Sequence, residues 1–335
     1  MDAVRVASIG AGWWNGVLAD AARKGTGLEL VACTARRPGP RAAFAAKFGC
    51  RDVDSYEAIL ADPGIEGVII ATPHTVHAEQ VIAAARAGKH VFVDKPFALT
   101  VEDARRATAA CREAGIVLSV GHQRRRLPAH RALKRMIDEG AFGRVVQIEG
   151  NFSAHIGFTF TPGMWRGDRA EAPGGPMTNL GIHHVDTFQY LLGPITRVMA
   201  MVRRVAVTGV DIDDTTSILL EFGSGALGYL GSCWVYANRT IEIAVHGSEA
   251  QGWSEADGAR LYVAKRGQPE RTTVELPALD PIVEQLAEFA RCVRQGGRPE
   301  VGGEEGTATI AVLDAIVESS ATGRMVTVPL QGRQR

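Results

Sequence analysis

The chain has 335 residues, and its 37 Lys and Arg balance 37 Asp and Glu for a formal net charge of zero. That length accommodates two domains with substantial cores, and the neutral balance gives no electrostatic footprint for nucleic acid or an anionic membrane surface. The five cysteines (33, 50, 111, 233 and 292) include no Cys-x-x-Cys pair, which argues against a disulfide framework and a structural zinc site. In chain order, VRVASIG (4–10) is a short apolar run closed by glycine and predicts a buried strand. A helix-compatible stretch follows through Lys24. LELVAC (28–33) predicts the second strand, and PRAAFAAKFG (40–49) an alanine-rich helix stopped by Gly49. EGVIIAT (66–72) and HVFVDK (90–95) predict two more strands, separated by a helix that ends at Gly88, and IVLSVG (116–121) predicts the last. Apolar strands alternating with helices imply a parallel sheet covered on both faces.

The first strand-to-helix turn carries Gly10-Ala11-Gly12. In a dinucleotide-binding turn, the first glycine permits the tight bend. The second lets a pyrophosphate approach the backbone at a helix N-terminus. The third glycine of that fingerprint is replaced by Asn15, with Gly16 beside it. The strand–turn–helix context supports a dinucleotide site despite the substitution. At the end of the second strand, an NAD site would hold a carboxylate for the ribose hydroxyls. This chain has Thr34-Ala35-Arg36-Arg37 instead. Two guanidinium groups suit a 2′-phosphate, so NADP is favoured over NAD, with a solvated basic loop as the plainer alternative.

The second half predicts strands at GRVVQIEGNFS (143–153), in a hairpin around Gly223-Ser224-Gly225, at RTIEIAVHGS (239–248) and at DGARLYVAKRG (257–267). Two helical stretches, 280–297 and 304–323, close the chain. The expected architecture is an α/β N-terminal Rossmann dinucleotide-binding domain (1–124). It is followed by an α+β C-terminal domain (125–335) with a predominantly antiparallel open sheet. The N-terminus shows no basic leader and no apolar run nears the ~20 residues that span a bilayer, so a cytoplasmic protein is expected.

Three stretches carry more than a fold pattern: SIGAGWW (8–14), ATPHTVHAEQVIAAARAGKHVFVDKP (71–96) and GGPMTNLGIHHVD (174–186). Together they resemble the glucose–fructose oxidoreductase / inositol dehydrogenase (Gfo/Idh/MocA) family over nearly the whole chain. The resemblance implies hydride transfer between a nicotinamide and a sugar, polyol or related cyclic alcohol. It also implies a homodimer or homotetramer formed through the C-terminal sheet. It assigns cofactor binding to Gly10, Gly12, Trp13, Trp14, Asn15, Ala35, Arg36, Arg37, Thr72, Pro73, His74, His77, Asp94, Lys95 and Pro96. Lys95 matches the lysine of the family's Glu-Lys-Pro motif, here Asp94-Lys95-Pro96, and His183 matches its acid/base histidine. Asn179 stands where the family usually has an aspartate. An amide can orient an imidazole but cannot stabilise an imidazolium as a carboxylate does.

Substrate contacts are expected from Lys95, Arg125, Trp165, Arg166, Asn179, His183 and His184. Six of these have plainer readings: a surface lysine for Lys95, charge pairing for Arg125, a packed loop for Trp165 and Arg166, and a structural histidine for His183 and for His184. Arg124-Arg125-Arg126 as a whole reads as a solvated face or a small anion site. Asp186, one turn beyond His183, could hydrogen-bond on the same face or be an ordinary helix charge. His74 and His77 lack an accompanying acidic cluster, so no metal is expected. A related dihydrodiol-oxidising branch has asparagine at the same place, which keeps a ring diol open as substrate. A cofactor-binding regulatory protein without turnover is the alternative of a different class.

Overall fold

The computed structural model describes residues 2–329. Residues 330–335 of the expected second domain lie outside the described residues. The elements are β1 (Val4–Ile9), α1 (Trp13–Ala22), β2 (Leu28–Thr34), α2 (Pro38–Phe48), β3 (Arg51–Asp52), α3 (Tyr56–Ala61), β4 (Gly67–Ile70), α4 (His77–Arg86), β5 (His90–Val93), α5 (Val101–Glu113) and β6 (Leu118–Val120). There follow α6 (Pro128–Asp138), β7 (Val145–His155), α7 (Ile182–Leu192), β8 (Ile195–Arg203), β9 (Thr215–Phe222), β10 (Leu227–Cys233), β11 (Val235–Gly247), β12 (Ala250–Glu255), β13 (Arg260–Lys265), β14 (Gln268–Val274), α8 (Pro281–Gln295), α9 (Gly303–Thr322) and β15 (Val326–Thr327).

Two compact units emerge: residues 1–123 with 280–307, and residues 124–279 with 308–335. Residues 280–307, which follow the strands of the second unit in the chain, group with the first unit. The reason is packing. Leu286, Phe289 and Ala290 of α8 are buried in one cluster with Val4 and Val6 of β1, Leu18 of α1 and Phe92 of β5. Arg294 adds a two-point ion pair to Glu66, at 2.6 and 2.7 Å, and donates to the carbonyls of Asp2 and Ala3.

The first unit is a six-stranded parallel sheet in the order β3-β2-β1-β4-β5-β6. The strand order reverses direction at β1, between β2 and β4. In open parallel sheets such a reversal leaves a crevice at the carboxyl ends of the strands. The four residues of β4 are all buried, as expected for a strand covered on both faces.

The second unit is a nine-stranded sheet, β14-β13-β12-β11-β7-β10-β9-β8-β15. Its pairs are antiparallel except β7 with β10. Alternation sets the two faces. Val198, Ile218, Leu220, Leu230 and Ile148 are buried, while Met199, Leu219 and Tyr229 stand exposed in one cross-strand row. Gly150 of β7 lets α7 lie close, since a Cβ there would fall 2.8 Å from the Phe188 ring and 3.0 Å from His184.

Candidate active site

The first unit gathers its candidate residues at the carboxyl edge of the parallel sheet. Gly10 follows β1 with φ +107, and a Cβ there would fall 2.9 Å from the Ala71 carbonyl. Only glycine fits such a turn. Gly12 caps α1, whose first turn has no acidic residue. A helix start of this kind, with no acidic residue in its own first turn, fits a dinucleotide phosphate. Asn15 lies inside that turn rather than on its surface. It is 1% exposed. Its Oδ1 accepts from the Gly12 amide at 3.3 Å, and its Nδ2 donates to Ser8 Oγ and the Ile9 carbonyl at 3.2 and 3.0 Å. Asparagine thus replaces the third glycine by bracing the turn from within. Trp13 is 76% exposed at the helix start, and its ring tilts against Trp14 at 5.6 Å.

Thr34 ends β2 buried, Ala35 is half-buried, and Arg36 and Arg37 are exposed. Neither arginine forms an ion pair among the described residues. Pro73 follows β4, and the Thr72 hydroxyl donates to Gln80 Oε1 at 2.6 Å. Asp94-Lys95-Pro96 follows β5, with Lys95 half-buried and the Lys95–Pro96 peptide cis. Burial pushes the Asp94 carboxyl up, opposed by the charges of Lys95 and His77. His74 and His77 are 4% and 1% exposed, with ring centroids 5.8 Å apart. Both His77 nitrogens face backbone carbonyls, of Pro96 and of Thr72, at 2.8 Å. His77 therefore faces into the fold and not outward, because the loops on either side of it need donors. Lys89 of the Gly-Lys-His run is also structural: its Nζ donates to the carbonyls of Asp62 and Ile65 at 2.7 and 2.8 Å.

In the second unit a π-helical turn, Met177–Gly181, leads directly into α7. Asn179 lies in that turn and His183 in the first turn of α7. The His183 ring stacks on Phe152 of β7, with centroids 5.4 Å apart and planes 19° apart, and the Arg124 guanidinium lies 4.9 Å from the same ring. Phe152 carried no signal in the sequence, since one aromatic residue in a strand is an ordinary core residue. His184 is completely buried, and its Nε2 lies 3.2 Å from the carbonyls of Asn151 and Glu242. Burial holds its pKa well below the usual histidine value. His184 thus ties α7 to β7 and β11, the structural role, and not the expected substrate contact.

Asp186 turns to Arg125 rather than to His183. The two side chains form a two-point buried pair. Arg124 reaches Asp257, and the Arg124 carbonyl lies 2.8 Å from Nδ1 of the buried His130. All three arginines of the basic run are buried, which excludes a solvated face. Arg166 lies over the ring of its neighbour Trp165 at 4.3 Å.

A glycine turn at a helix start, at the reversal point of a six-stranded parallel sheet, defines a domain of the dinucleotide-binding class. Residues 4–122 match the oxidoreductase family with an NAD-binding Rossmann fold, and residues 130–251 match the GFO/IDH/MocA C-terminal domain. The chain belongs to the Gfo/Idh/MocA family of oxidoreductases. It is similar to a 1,5-anhydro-D-fructose reductase of Ensifer adhaerens, 30% identical over 90% of this chain and 91% of that one. It is also similar to a scyllo-inositol 2-dehydrogenase (NAD(+)) of Bacillus subtilis, 32% identical over 82% of this chain and 80% of that one. A solved structure of levoglucosan dehydrogenase with NADH superposes with a TM-score of 0.90 at 27% identity, covering 98% of this chain and all of the other.

Proposed function

We propose that the protein interconverts a hydroxyl and a carbonyl on a sugar, polyol or related cyclic alcohol, with NADP(H) preferred. The observation that carries this is the position of Lys95, directly after β5 at the sheet edge that bears the Gly10 turn. The names of the relatives, a sugar-derivative reductase and an inositol dehydrogenase, support the substrate class. The nicotinamide supplies the hydride acceptor or donor. In oxidation, His183 takes the hydroxyl proton. Lys95 polarises the same oxygen and stabilises the charge that develops on it. In reduction the two groups donate. Asn179 orients the substrate or the imidazole through neutral hydrogen bonds, and Trp165 and Arg166 contribute to the sugar pocket. Asparagine at 179 favours a ring diol as the second substrate class. A homo-oligomer covers the exposed row of Met199, Leu219 and Tyr229, because a contiguous apolar patch on a sheet is otherwise left in water.

A nicotinamide-absorbance screen over sugars, inositols, glycosides and ring diols, with both cofactors, tests the reading. Lys95→Ala and His183→Ala are each expected to lower turnover about 10²-fold or more while leaving cofactor affinity largely intact. Wild-type turnover in both variants would remove the assignment. Cofactor binding without turnover of any substrate class would favour a regulatory protein.

A further inference from the structure

His77 opens α4, yet its ring is almost wholly enclosed, at 1% exposure. Nδ1 lies 2.8 Å from the Pro96 carbonyl and Nε2 lies 2.8 Å from the Thr72 carbonyl. A carbonyl oxygen only accepts. A neutral imidazole has one N–H, so one of these contacts would set two lone pairs against each other. The doubly protonated ring alone satisfies both. We infer that His77 is held as an imidazolium, and that it is a positioning residue clamping the loop after β4 to the Asp94-Lys95-Pro96 turn after β5. This inference rests on the reading that Lys95 serves the reacting oxygen, and it adds what holds Lys95 in place.

The surroundings agree with a cation. Asp94, in the clamped turn, is an acidic group close enough to His77 to interact with it electrostatically. His74 lies 5.8 Å away by ring centroid, and Lys95 belongs to the clamped turn. On the α5 side, Arg106 pairs with Glu79 and Asp103, so those charges are engaged with one another. The Thr72 side is held a second time by the bond from its hydroxyl to Gln80. Loss of the His77 proton would therefore release one carbonyl and loosen the Lys95 turn more than the Thr72 loop.

Two measurements on the apo protein test this without any substrate. Long-range ¹H–¹⁵N spectra of ¹⁵N-histidine protein should show both His77 nitrogens protonated at about pH 7.5, a value at which an ordinary histidine is mostly neutral. A single-proton tautomer there would overturn the charge assignment. Amide hydrogen exchange across 94–97 should rise about tenfold in His77→Gln, which retains only one donor group, with little change in β1. Unchanged exchange across 94–97 would overturn the positioning role. If the variant does not fold, the wild-type spectrum decides. Full turnover in Lys95→Ala would instead remove the catalytic reading and leave the clamp standing.

Discussion

Arg125 and Asp186 form a two-point ion pair inside the second unit. Arg125 Nε donates to Asp186 Oδ2 at 3.0 Å and Nη2 donates to Oδ1, with the side chains 8% and 1% exposed. The pair fastens α7, and with it His183, to the segment that begins the unit. A buried pair contributes little relative to an apolar pair of similar volume, but breaking it leaves a charge out of water without this partner. Asp186→Ala should therefore cost about 3–5 kcal/mol in urea unfolding, and the double variant Arg125→Met with Asp186→Leu should recover much of that. A single-variant loss under about 1 kcal/mol would mean that the charge finds solvent readily.

Two of the buried histidines of this unit, His130 and His184, predict a pH dependence. Burial lowers the His130 pKa to about 4 from an ordinary 6.5, and holds that of His184 well below its ordinary value. The unfolded chain thus takes up these protons near pH 6.5, while the folded chain resists them. Stability present above pH 6.5 is lost as the pH falls toward about 4, by on the order of 3 kcal/mol for His130. Urea midpoints across that range should fall for the wild type. His130→Asn, which retains a donor for the Arg124 carbonyl, should fall less steeply; parallel profiles would count against the assignment.

Much of the first unit was legible because buried parallel strands are continuous apolar runs and glycines mark their turns. Its helices α3 and α5 carry no comparable signal. The α5 sequence VEDARRATAACRE is mostly polar, and only its small residues Ala104 and Ala107, with Cys111, face the core. The Rossmann unit's use of α8 was equally hidden, since no local pattern says which sheet a distant amphipathic helix will cover. The histidines show the same limit. Spacing placed His183 and His184 side by side, but only tertiary contacts separate a ring stacked on Phe152 from one enclosed between β7 and β11.

Asn15 gives a prediction opposite to what the glycine fingerprint suggests. Asn15→Gly would complete the pattern, yet it removes the bonds to Gly12, Ser8 and Ile9 and adds backbone freedom at the start of α1. Stability should drop by about 1–3 kcal/mol and cofactor affinity should weaken. Tighter cofactor binding in Asn15→Gly would show that the bracing is dispensable.

The exposed row on the second sheet predicts self-association. Leu219, 57% exposed, pairs across the strands with Met199 and Tyr229. A charge at its centre should oppose burial of the row against a second copy. Light scattering should give an oligomeric mass for the wild type and a smaller one for Leu219→Asp. A monomeric wild type would end the proposal.

The proposed preference for NADP rests on the residues after β2. Ala35 occupies the place of a ribose-binding carboxylate, and the exposed Arg36 and Arg37 carry no competing ion pair among the described residues. A charge-assisted bond from arginine to phosphate contributes about 1.5–3 kcal/mol, roughly a tenfold to hundredfold preference for NADP from one good contact. Arg36→Ala with Arg37→Ala should therefore weaken NADP binding by about that factor and leave NAD binding nearly unchanged. Ala35→Asp should reverse the preference, because it adds a ribose acceptor and repels the phosphate. Fluorescence titrations of both cofactors against the three proteins measure this directly, and equal affinities of the wild type for NAD and NADP would make the two arginines plain surface residues.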